Sequence, residues 1–75
     1  MEYTENDYRN IYGTSPAENA AWLIADWGTE VALKRATSAL EHAERDLTEE
    51  QAQTWLGRDA KYWAAIKAVI EAEVA

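Results

Sequence analysis

One proline and three isolated glycines are the only strong helix breakers in this chain of 75 residues, and each stands where a helix would start or stop. Ser15-Pro16-Ala17-Glu18 is the clearest signal. Serine accepts from the first free N–H groups of a helix, proline takes the first helical position, and Glu18 reaches back to complete a capping box. Thr4-Glu5-Asn6-Asp7 places an N-cap three residues before an acid, and Tyr8, Ile11 and Tyr12 then share one face before Gly13. A third cap is expected at Thr48-Glu49-Glu50-Gln51, where Leu47 can staple onto Ala52.

Between the second and third caps nothing forbids helix from Pro16 to about Asp46. Such a helix would be roughly 45 Å long at 1.5 Å per residue, whereas a folded chain of this size has a radius of gyration of about 11 Å. The apolar pattern says where it gives way. Ala20, Ile24, Trp27 and Val31 lie on one face, while Leu33, Ala36, Leu40, Ala43 and Leu47 lie on another, turned by nearly half a revolution. Either the helix breaks at Gly28, with Thr29 as the new cap, or one long helix is covered on opposite sides, in part by a second subunit. The last segment, from Glu49 to about Glu73, carries Ala52, Trp55, Leu56, Tyr62, Trp63, Ile66, Val69 and Ile70 as a wide stripe. Asp59 interrupts it. Gly57 before it can end one helix and leave Asp59 to cap the next; the alternative is a buried charge paired with Arg58 or Lys61. The expected fold is therefore all-α. One domain over residues 1–75 forms a bundle of three to five helices, with a short N-terminal helix and two long segments kinked or broken near Gly28 and Gly57.

Alanine supplies 15 of the 36 hydrophobic residues, and phenylalanine is absent. Alanine lets helices approach closely but buries little area. Trp22, Trp27, Trp55 and Trp63 are accordingly expected to fill much of the core, the alternative being that at least one lies at a self-association or partner surface. The chain has no cysteine, which removes disulfides and thiolate metal sites. Its first residues have neither a basic nor an apolar region, so no signal peptide is expected, and the apolar runs are too short for a membrane span. A cytoplasmic protein is the expectation.

Catalysis is not expected. There is no cysteine nucleophile, no glycine-rich phosphate loop, and the single histidine, His42, lacks the context of a triad. His42 and Asp46 are four apart, but without further ligands they read as a solvated helix-face pair. No cofactor and no metal are implied.

Fourteen acids against seven bases leave a formal charge of -7. That balance disfavours direct nucleic-acid or membrane binding and favours basic protein surfaces. The acids gather in two places. Glu2, Glu5 and Asp7 are interleaved with Tyr3, Tyr8 and Tyr12, a combination suited to a basic groove on another protein. The same tyrosines are also placed to dock the short helix, and both readings hold if opposite faces are used. Glu44, Asp46, Glu49 and Glu50 surround an expected turn between helices.

In size, acidity and helical content, over the whole chain and without a shared motif, the protein resembles the small inhibitory proteins of phages and mobile elements, of the anti-CRISPR and anti-restriction types. That resemblance implies stoichiometric inhibition, the chain occupying a basic nucleic-acid or partner site on a host defence complex such as a CRISPR effector. The residues expected to make contact are Glu2, Glu5, Asp7, Tyr8 and Tyr12, with Glu44, Asp46, Glu49 and Glu50 as a second patch. The alternatives are a self-associating helical dimer with a structural or regulatory role, and an antitoxin-like neutraliser.

Overall fold

In the computed structural model, which describes residues 3–74, helix α1 spans Glu5–Tyr12. Its start is the anticipated box: the Asp7 N–H donates to Thr4 Oγ1 at 3.1 Å and the Thr4 N–H donates to Asp7 Oδ2 at 2.9 Å. Helix α2, Pro16–Trp27, opens the same way, with Glu18 N–H on Ser15 Oγ at 3.2 Å and Ser15 N–H on Glu18 Oε1 at 2.9 Å. These reciprocal bonds satisfy N–H groups that no helical carbonyl can reach.

The long segment breaks at Gly28. Its φ of 82° and ψ of 161° lie in a region that only glycine occupies without strain. Gly28 closes α2 by donating to the Ile24 carbonyl at 2.8 Å and opens α3, Thr29–Glu44, by accepting from the Ala32 N–H at 2.9 Å. Thr29 is the first helical residue and does not cap, since one glycine performs both jobs.

The third cap forms but leads elsewhere. Thr48 and Gln51 exchange bonds of 3.0 and 3.1 Å, and they open only a single 3-10 turn, Gln51–Gln53. Thr54 then accepts from the Leu56 N–H at 3.3 Å, and α4 runs from Trp55 to Val74. The second break therefore falls at Thr54, and the expected stop at Gly57 is corrected: α4 passes straight through it. Gly57 is glycine for space. A β-carbon there would overlap the Ala52 carbonyl oxygen and lie 2.6 Å from its carbonyl carbon, so the 3-10 turn packs directly on the α4 backbone.

Among the described residues there are four α-helices and no strand. The core joins Tyr8, Ala20, Ala32, Ala36, Tyr62, Ile66 and Ile70. Alanines let α2, α3 and α4 close on one another, and tyrosine and isoleucine supply the volume. The Cα radius of gyration is 12.2 Å. The tryptophans do not fill this core. Only Trp63 packs against it, while Trp22, Trp27 and Trp55 are 65%, 52% and 59% exposed.

Candidate functional site

The described residues of the N-terminal cluster, Glu5, Asp7, Tyr8 and Tyr12, make contacts within the chain. Tyr8 is 5% exposed and its ring lies 5.3 Å from those of Tyr3 and Tyr62. This corrects its assignment to a partner surface, because burying a ring under α1 is what makes an eight-residue helix stable. Tyr12 is half-buried, stacks on Tyr62 at 4.1 Å and donates its hydroxyl to Asp59. Asp59 thus does not take the expected cap, nor, among the described residues, the alternative ion pair with Arg58 or Lys61; it ties α4 to α1. Burial, reinforced by that carboxylate, pushes the Tyr12 hydroxyl up to about 12.

Glu5 and Asp7 are exposed, yet both carboxylates are engaged. Asp7 completes the Thr4 box, and Glu5 accepts from the Ala17 N–H at 3.3 Å. Arg9 bonds Glu18 at 2.8 Å. The Ser15 backbone N–H first, and Arg9 second, hold the Glu18 carboxyl down at about 2. Glu5 and Arg9 therefore fasten α1 to the start of α2, while Asp7 closes the start of α1 itself. Glu2 lies outside the described residues.

The second patch is arranged differently. Glu44, Asp46, Glu49 and Glu50 are all exposed where α3 turns toward α4. Asp46 takes a left-handed φ of 58°, a conformation aspartate tolerates better than most side chains. Among the described residues none of the four carboxylates is in an ion pair, so their charge projects into solvent.

Exposed indoles form the other unassigned surface. Trp22 points away from the core on α2, beside exposed Ala21, Ala25 and Asp26. Trp27 lies under the Arg35 guanidinium, 4.2 Å from its ring centre, and Trp55 begins α4. A groove of about 430 Å³ between α2 and α4 is lined by Ala17, Ala21, Ile24, Ala25, Val69 and Glu73. One signal for this surface was readable: Trp22 falls off the Ala20–Ile24–Trp27–Val31 stripe. Nothing in the spacing marks Trp27 or Trp55 as exposed.

Among the described residues no group of three or more His, Asp or Glu side chains is placed to hold a metal ion. No described helix is long and apolar enough to cross a membrane. Comparison with models of known families, with curated proteins and with solved structures found no significant match to this chain. The surface can offer a partner indole rings and uncompensated carboxylates, the two groups that anchor and steer association with a basic protein.

Proposed function

We propose that this protein is a non-catalytic binding module that acts in the cytoplasm by occupying a basic surface of another protein or nucleoprotein complex. The observation that carries the reading is the exposure of three of its four tryptophans. Indoles left in water are costly for a chain with so little apolar volume, and tryptophan is a leading anchor residue of interfaces. The acidic turn of Glu44, Asp46, Glu49 and Glu50 supplies long-range attraction toward a positive target, and the indoles supply short-range contact. Together with the resemblance to small acidic inhibitors, this favours stoichiometric inhibition of a defence complex whose nucleic-acid site is basic. Contact residues move accordingly from Tyr8 and Tyr12 to Trp22, Trp55 and the turn acids.

Self-association is the second reading, and the exposed Trp22 and Val31 favour it. Charge argues against it. Helix α2 contains no lysine or arginine, and with Glu18 paired to Arg9 two copies meeting through that face would still appose Asp26 with Asp26.

The test is displacement of labelled DNA or RNA from purified CRISPR effector complexes as the chain is titrated in. Release at one equivalent is expected, weakening as salt rises. Glu49→Lys with Glu50→Lys should raise the required concentration about tenfold or more while leaving the melting temperature unchanged. Absence of displacement from every complex would remove the inhibitor reading.

A further inference from the structure

Leu23 of α2, Arg35, Ser38, Ala39 and His42 of α3, and Trp63 of α4 line a groove of about 340 Å³. Its chemistry is unlike the rest of the surface. Acids outnumber bases two to one in the chain, yet no acid lines this groove. Arg35, Ser38 and His42 succeed one another at spacings of three and four residues, which sets them on one face of α3.

All three side chains are exposed and carry N–H or O–H donors, and arginine has no acceptor. None of the three has a hydrogen bond or ion pair among the described residues. The Trp27 ring, 4.2 Å from the Arg35 guanidinium carbon, holds that group by one face, which leaves its edge donors available. Leu23 of α2, Ala39 beside Ser38 and Trp63 of α4 are half-buried and give the groove an apolar lining with one indole in it. A row of donors on one face of α3 beside an apolar wall, in a groove at the lower end of the volumes that ligand sites occupy, suits a small ligand with an anionic acceptor at one end and a flat apolar body.

We propose that this groove binds a small aromatic carboxylate, its carboxylate accepting from Arg35 and the neighbouring Ser38 and its ring lying against Trp63. Guanidinium and carboxylate match as a two-pronged, charge-assisted pair, and an aromatic ring gains offset or edge contact with the indole. The groove shares none of the turn acids and neither Trp22 nor Trp55 with the protein-binding reading; Trp27 alone, which holds Arg35, is common to both.

The probe is 1-naphthoate, titrated into the full chain while the four tryptophan indole N–H resonances are monitored by NMR. The same ring carrying a cation, 1-naphthylmethylamine, is the control. Saturable movement of the Trp63 indole N–H is expected, with a dissociation constant on the order of 0.1–1 mM for so open a groove. The amine should bind at least about tenfold more weakly. Arg35→Gln removes the charged fork, and Ser38→Asp places a carboxylate among the donors. Both positions are exposed, so the fold should survive, as circular dichroism will report, and each variant should weaken naphthoate about tenfold or more. The proposal is overturned if the Trp63 resonance does not saturate by about 5 mM naphthoate. It is equally overturned if the amine matches the acid, or if both folded variants bind as the parent does.

Discussion

At Gly57 two effects of a methyl group oppose each other. Alanine is the better helix former by about 1 kcal/mol, but its β-carbon would overlap the Ala52 carbonyl, and overpacking against backbone costs typically about 1–3 kcal/mol. The clash wins, so Gly57→Ala should lower the melting temperature by roughly 5–10 °C; a stabilised variant would mean the 3-10 turn does not pack there. Tyr62 makes a second residue-scale prediction. Its hydroxyl donates to the Thr14 carbonyl at 3.1 Å and accepts from Asn19 Nδ2 at 3.1 Å, with Thr14 Oγ1 at 3.0 Å. Tyr62→Phe keeps the ring but strands these part-buried groups, and urea unfolding should show a loss of about 1–2 kcal/mol. Glu18 has a pH signature. Its folded pKa, about 2, lies below the unfolded value, so its contribution is present above about pH 4.5 and lost as pH falls toward 2. Glu18→Gln should therefore flatten the acid limb of the stability profile between those values and leave its shape above about pH 5 unchanged.

The hinge between α2 and α3 is the informative element. A β-carbon at Gly28 meets nothing within 4 Å, so Gly28→Ala tests backbone strain alone. A loss of about 1–3 kcal/mol is expected in chemical unfolding, and an unchanged midpoint would contradict a break at this glycine. Elements of this kind were legible in the sequence because their causes are local. The Thr4 and Ser15 boxes and the Gly28 stop are hydrogen-bond and dihedral demands that adjacent residues reveal. Gly57 was misread because a glycine inside a helix is explained by what packs on it, and Ala52 arrives there only through a turn. The start of α4 slipped from Glu49 to Trp55 for a related reason: the Thr48 box was recognised, but nothing local shows that it opens a 3-10 turn and that Thr54 caps the helix proper. Of the two readings of Tyr8, docking of the short helix holds and partner contact does not, while the tryptophans depart from the expected core. Periodicity identifies an apolar face without saying which neighbour covers it, and the tyrosines of α1 took the volume that indoles were expected to fill. Of the candidate site, the turn acids project into solvent as expected, and among the described residues none of them is in an ion pair.

Over the whole molecule, apolar anchors and negative charge lie outside while small residues close the core. Trp22, Trp27 and Trp55 stand on or next to elements that alanine packs together, and the acidic turn projects beyond α3. Under the proposed function, that surface meets a basic partner and not a second copy. Light scattering of the chain alone, at low and high salt, decides whether the exposed indoles serve a different protein or a second copy. The mass of a single chain, about 8.5 kDa, is expected at both salt concentrations and into the tens of micromolar. A dimer that persists in high salt and is abolished by Trp22→Ala would contradict that expectation and assign the tryptophan surface to self-association.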